Sequence, residues 1–350
     1  MKTNSYLISI AILTGILFFN SCKTSSVGVQ VLNPAEITLP SKIKKVAIAN
    51  RSLPDKGEKA GNIVEGLLSG EGFQQDREAS EKTILGFVDV IVSSPRFEVV
   101  RPTNIDLRGT GTAAWPIPLN WEEVEKICKE NKADALITLE TFDSDNRRRS
   151  AVEKKTRKVN DKTFDYNLFI EHLDVYVTCG WRVYDPQTKT IIDQSSFRDM
   201  KGFSADDEDP KRAVSKLPHK RAATNDAGFY AGTLYAARIS PVWVNVARSY
   251  YTKGNDDFKA AKAFVRTNNW KQASELWQKH AESSDPKIKA RACFNLALAN
   301  EIEGNLGDAL KWAEKAYQTE GKSMHRMYVN TIHSRIQDAK RLDEQMKDVE

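Results

Sequence analysis

The sequence predicts a mixed α/β domain, a β-sheet with flanking helices, followed by an all-α array of helical repeats. Three observations carry this. Short apolar runs alternate with helical periodicity between residues 43 and 141. A strict two-residue alternation occupies residues 173–183. The last third of the chain matches itself at a spacing of 36, from Asn269 to Asn305. A chain of 350 residues holds about two domains of roughly 100–200 residues. Hydrophobic residues at 40% and charged residues at 28% place its bulk among globular proteins.

Residues 1–21 stand apart as a signal peptide. Lys2 precedes an apolar run over residues 7–19, which is short for a membrane span of about 20 apolar residues. The run ends at Asn20-Ser21-Cys22 and gives way to polar Lys23-Thr24-Ser25-Ser26. A small residue before a Cys at such a place resembles the lipobox of bacterial lipoproteins, with Phe19 where Leu is usual and Asn20 where a smaller residue is usual. The resemblance implies lipid attachment at Cys22 and an anchor in the cell envelope. Lys23 is not the Asp that resembles an inner-membrane retention signal, and no acidic cluster follows Cys22. The expected location is the outer membrane, facing the periplasm, and residues 22–41 read as a tether.

The α/β domain is expected over residues 42–252. Residues 43–49 are an apolar strand, and residues 51–79, with five Gly, read as a long loop. A helix follows over residues 80–93, with Ile84, Leu85, Phe87, Val88, Ile91 and Val92 at helical spacing and Pro95 as its stop. Residues 97–100 form a second strand. Asn120 caps a helix over residues 121–131, with Glu122 and Glu123 in the first turn, where the helix dipole favours acids. Residues 133–141 form a third strand. In residues 173–183 the odd positions, from Leu173 to Val183, are apolar or sulfur-bearing, so one face is expected to be buried and the other wet. Asp185-Pro186-Gln187-Thr188 turns the chain into a return strand over residues 190–197. Residues 227–251 read as a long helix kinked at Pro241.

This order, with Phe97-Glu98-Val99-Val100, Ala133-Asp134-Ala135-Leu136-Ile137 and the turn Tyr184-Asp185-Pro186-Gln187-Thr188-Lys189, resembles the N-terminal domain of curli-secretion lipoproteins and related periplasmic lipoproteins. Together with residues 32–40 and the helical repeats, it is similar to an uncharacterised Bacteroidota lipoprotein family. That likeness implies an architecture and no reaction. The long insertions of the curli channel are not expected, because no extended alternating hairpin is read beside the helices.

Residues 256–350 carry the repeats. Asn269-Trp270-Lys271-Gln272-Ala273 aligns with Asn305-Leu306-Gly307-Asp308-Ala309, which resembles tetratricopeptide repeats of period 34. Residues from Met324 on form a capping helix. The array is expected to pack on the helix before it. The concave face of such arrays binds peptides or proteins, which by position implies a partner groove at Arg291, Phe294, Asn295, Leu298 and Glu301. Trp270, Trp277 and Trp312 read as core between helices.

Lys and Arg number 52 and Asp and Glu 47, a formal charge of +5, which makes no case for nucleic-acid binding. Arg147-Arg148-Arg149 and Lys154-Lys155-Thr156-Arg157-Lys158 read as a basic loop between strands, either solvated or touching anionic lipid headgroups. Residues 206–209 read as a solvated acidic loop without a spaced Ca²⁺-ligand pattern. Cys128, Cys179 and Cys293 fall in apolar patterns and are expected in the core. His172 and Asp174 share a strand face without a nucleophile or metal partner. No cofactor, metal centre or catalytic set is expected, and the chain reads as a non-enzymatic binding or scaffolding module for an envelope protein. The other reading is a component of a secretion or assembly complex.

Overall fold

The computed structural model describes residues 24–54 and 70–347, so Cys22 and the segment before it lie outside the described residues. The elements run β1 (Thr24–Asn33), β2 (Lys45–Asn50), α1 (Gly70–Val92), β3 (Glu98–Val100), α2 (Trp121–Asn131), β4 (Ala135–Val159), β5 (Lys162–Asp185) and β6 (Thr190–Asp207). Then come α3 (Pro210–Lys216), α4 (Lys220–Ile239), β7 (Val242–Tyr251) and five helices: α5 (Asp256–Arg266), α6 (Trp270–Gln278), α7 (Pro286–Ile302), α8 (Leu306–Glu320) and α9 (Ser323–Gln345). The protein is thus mixed α/β, sheet-rich in its first part and all-helical from α5 to α9. Among the described residues, one compact unit comprises Gln30–Val244 and the segment from Gln337; the other comprises Asn245–Ile336 and the residues before Gln30. The division lies inside β7, upstream of the boundary expected from sequence.

The sheet of the first unit has the order β3-β2-β4-β5-β6. β2 is parallel to both β3 and β4, and the remaining pairs are antiparallel. Alternate residues of β2 go to opposite faces. Val46 and Ile48 join Ile84, Phe87 and Ile91 of α1 and the alanines of α4 in one core. Ala47 and Ala49 join Val124, Ile127 and Cys128 of α2 in another. Asn120 caps α2 as expected, its side chain accepting from the Glu123 amide. Phe87, Trp181 and Tyr235 stack through the first core, with Trp181 4.7 Å from Tyr235 and 5.0 Å from Phe87. Cys128, Cys179 and Cys293 are free and buried. Burial pushes the Cys128 and Cys179 thiols up to about 12 and Cys293 to about 11.

Both faces of β5 are covered from Cys179 onward, so the wet face expected for residues 173–183 is wet only at Tyr176 and Thr178, which are half-buried. The second layer, around Tyr184, explains the difference.

Several expectations are corrected. The helix over residues 227–251 ends at Ile239. Ser240 is extended (φ −137°, ψ 140°), as a residue before proline must be. Beyond Pro241, Val242, Val244 and Val246 alternate along β7. The tether holds β1, whose Val27, Val29 and Val31 alternate in the same way. The loop over residues 51–79 contains the start of α1. The basic loop is not a loop: β4 and β5 pair without a break from Phe142↔Cys179 to Val159↔Lys162. That extended hairpin is the feature the sequence reading did not expect. The acidic loop is likewise ordered. Asp207 ends β6, and the Asp209 side chain caps α3 by accepting from the Lys211 and Arg212 amides.

Candidate functional site

The two parallel neighbours of β2 differ greatly in length. β2 stops at Asn50, opposite Leu139, whereas β4 runs on for another twenty residues. Beyond Leu139 no strand among the described residues pairs with that edge of β4, and a cavity of 660 Å³ lies there. The place has topological meaning. From β2 the chain crosses to β3 on one side, then to β4 on the other, and open α/β sheets hold ligands outside the strand carboxyl ends at such a reversal.

Asp76 and Arg77 from α1, Asp143, Ser144 and Asp145 from β4, Lys220 from α4 and residues 111–114 line the cavity. The Ser144 hydroxyl donates to the Asp76 carboxylate. Burial raises the Asp76 carboxyl to about 6, helped by the Asp143 charge and opposed by the Ser144 bond. Asp143 is also raised, by burial and then by Asp145. The cavity thus gathers three carboxylates, with Arg77 and Lys220 also in its lining and Arg198 bound to Asp145 at 3.4 Å. Among the described residues no group of three or more His, Cys, Asp and Glu is placed to hold a metal ion.

A buried ion cluster fixes the wall formed by the loop before α2. Glu140, fully buried, lies 2.9 Å from Arg51 Nη1 and 3.5 Å from Arg182 Nη1. Its other oxygen accepts from Thr138 and Tyr184, each at 2.7 Å. The two guanidinium groups donate onward to the carbonyls of Arg108, Ile117 and Pro116. Trp115 lies over the Arg182 guanidinium at 4.7 Å and packs on Gly180, where a Cβ would come within 2.8 Å of its ring. Burial, then the Glu140 charge, pushes the Tyr184 phenol up to about 12. Breaking one partner of such a cluster strands a buried charge.

The five residues expected to line a partner groove do come together on α7, but they are buried. Arg291 donates to the Lys253 carbonyl (2.8 Å) and lies over the Tyr251 ring. Asn295 pairs with the Tyr251 backbone in both directions, at 2.7 and 2.8 Å. Phe294 packs on Tyr251 and Tyr328, and Leu298 is fully buried. Glu301 takes a bidentate bond from Arg248 (2.8–3.1 Å) and one from the Tyr328 hydroxyl (2.7 Å). Burial works against the Arg248 charge, but Glu301 outweighs it and holds the guanidinium above its ordinary value. β7 and α9 thus fill the face from within the unit, and no open groove is left at these positions. His172 and Asp174 do not form an acid–base pair either: Arg149 binds Asp174 at 2.7 Å.

Comparison with known proteins places the chain. A family described as a domain of unknown function, DUF8603, matches residues 43–251. The chain belongs to this family. A second, DUF6340, also described as a domain of unknown function, matches residues 259–338. No curated protein matches the chain. Among solved structures, a neuraminyllactose-binding hemagglutinin homolog from Helicobacter pylori is 12% identical, covering 57% of this chain and 84% of that one at a TM-score of 0.26. The PelC dodecamer from Paraburkholderia phytofirmans is 11% identical, covering 61% and 98% at a TM-score of 0.22. Likenesses at this level carry no argument about this DUF8603 member.

Sequence reasoning missed the cavity altogether. Its acids are spread over two elements, and α1 was expected to start after Asp76. The short motif Asp143-Ser144-Asp145 was the one available signal.

Proposed function

We propose that the chain is a lipoprotein, anchored through Cys22 in the outer membrane and facing the periplasm, that works as a protein-binding or scaffolding module. The observation that carries the binding role is the cavity beside β4. Its convergent carboxylates suit a cationic side chain of an envelope protein or peptide.

The tetratricopeptide-like reading of the helical part has its own support. Asn268 and Gly304, 36 apart, both have positive φ (58° and 81°). The capping residues after them, Asn269 and Asn305, repeat the same backbone (φ −91°, ψ 67° and φ −81°, ψ 60°). Their amides close the same turn, onto Phe264 and Asn300 at 2.8 Å each. Phe258 and Phe294, Ala261 and Ala297, and Ala273 and Ala309 are buried at equivalent places. On this reading the repeats serve as a scaffold, and the likeness to the lipoprotein family with a curli-secretion-type domain extends over both parts.

The test is capture from crosslinked cells. Wild type should recover specific envelope proteins from the membrane fraction. Asp76→Asn with Asp143→Asn should lose them, and Cys22→Ser should shift the protein out of that fraction. Unchanged recovery by the double variant would remove the cavity from the account. A second reading, a component of a secretion or assembly complex, is favoured by the β4–β5 hairpin, which runs well past the helices. Ring-shaped oligomers in electron micrographs would support it, and a strict monomer would count against it.

A further inference from the structure

The net charge of the protein has an address. Residues 147–166 hold eight Lys or Arg and three Asp or Glu, a balance of +5. The whole chain has 52 and 47, also +5, so the other 330 residues balance at 44 against 44. Those twenty residues are the far end of the β4–β5 hairpin, and residues 147–165 are all exposed. β6 leaves the ladder at Phe169↔Asp207, so beyond this point the ribbon is two strands wide. It closes at Asn160-Asp161, both with positive φ (50° and 60°), as a tight two-residue turn requires.

Four of the eight cations are matched within the chain: Arg148 by Glu171, Arg149 by Asp174, Lys155 by Glu153 and Arg157 by Glu208. Arg147, Lys154, Lys158 and Lys162 have no acidic partner among the described residues. Apolar groups stand between them. Val159 and Phe164, 47% and 48% exposed, share one face near the turn, and Val152, 57% exposed, lies on the other. None of these side chains contributes to the core of the unit, so neither the charge nor the apolar surface has an internal use.

We infer that the end of this hairpin docks on an anionic lipid surface. Val159 and Phe164 enter the interfacial layer, and the four unmatched cations reach headgroup phosphates. Cations beside a few apolar side chains are what surface-lying segments use. Spanning is excluded by the same residues. Lys154 and Lys158 occupy one face and Lys155, Arg157 and Lys162 the other, whereas a spanning strand keeps a face apolar for about 9–11 residues. The contact is separate from the lipid at Cys22 and does not depend on it.

The experiment uses the full chain and vesicles of phosphatidylcholine, with or without phosphatidylglycerol. Every variant shares residues 1–30, so any contribution from the N-terminal apolar run cancels in the ratios. Wild type should bind the anionic vesicles more tightly, with affinity falling as salt rises. Lys154→Gln, Lys158→Gln and Lys162→Gln together should weaken that binding by roughly a hundredfold, about fivefold per charge. Asp165→Lys, also exposed, should strengthen it. Phe164→Ser, with every charge kept, should weaken vesicle binding about tenfold and leave binding to soluble dextran sulfate unchanged. Equal affinity for the two vesicle types, or a triple variant that binds like wild type, would overturn the inference. A Phe164→Ser variant unaffected on vesicles would assign the cations to a soluble polyanion and overturn the lipid contact.

Discussion

Asp76 shows how one residue links the cavity to pH. Its folded-state value of about 6 lies above the ordinary 3.8, so the folded protein keeps a proton that the unfolded chain has released. The sign follows: this contribution to stability is full below the ordinary value and is lost as pH rises through about 6. Asp76→Asn should therefore stabilise the protein by about 1–2 kcal/mol near pH 8, allowing for solvent screening, and change little near pH 4. Urea unfolding at the two pH values checks this, and equal effects at both would contradict it. The same ionisation arms the cavity, so a cationic ligand should bind more tightly above about pH 6 than below. Glu301 teaches the opposite lesson. Read from its position in a repeat, it looked available to a partner. An acid with a fully buried side chain must be matched nearby, and Arg248 of β7 and Tyr328 of α9 supply the match.

At the scale of elements, legibility followed the pattern of side chains and failed where a pattern was short or mixed with glycine and charge. α2, the apolar core of β4 and the turn at Asp185 were readable because caps, β-branched runs and turn residues agreed. β7 and β1 were lost because helical composition and a polar tether masked three alternating valines in each. The hairpin beyond Asn146 was lost because period-two alternation vanishes when both faces are charged. The α1–α4 contact could not be read at all, since it depends on two helices touching backbone to backbone. A Cβ at Gly232 would stand 1.9 Å from the Thr83 carbonyl oxygen, and one at Gly86 1.9 Å from that of Phe229. Gly232→Ala must push the helices apart and should cost about 1–3 kcal/mol, measured by thermal or denaturant unfolding. Gly307→Ala, where nothing lies within 4 Å, is the control expected to be neutral or stabilising.

At the scale of the molecule, the sequence reading anticipated a sheet-rich part followed by a helical part. The array was expected to pack on a preceding helix; the element before it is β7, and Asn295 and Glu301 hold it through the Tyr251 backbone and Arg248. Ending the chain at residue 255 should therefore free Tyr251 and Arg248. Exchange of the Tyr251 amide, which donates to Asn295, should rise, and continued protection of that amide would contradict this account. The last residues return to the other unit. Gln345 accepts from the Ala35 amide at 2.8 Å and donates to its carbonyl at 3.0 Å, and Arg341 donates to the carbonyls of Ala35 and Glu36. Gln345 and Ala35 are 310 residues apart in sequence. Closing so long a loop carries a large entropic cost, so the contact forms only after much of the chain between has folded. During synthesis it cannot form before the final helix has left the ribosome. The sheet-bearing unit is thus closed only after the helical segment between its two parts has been made.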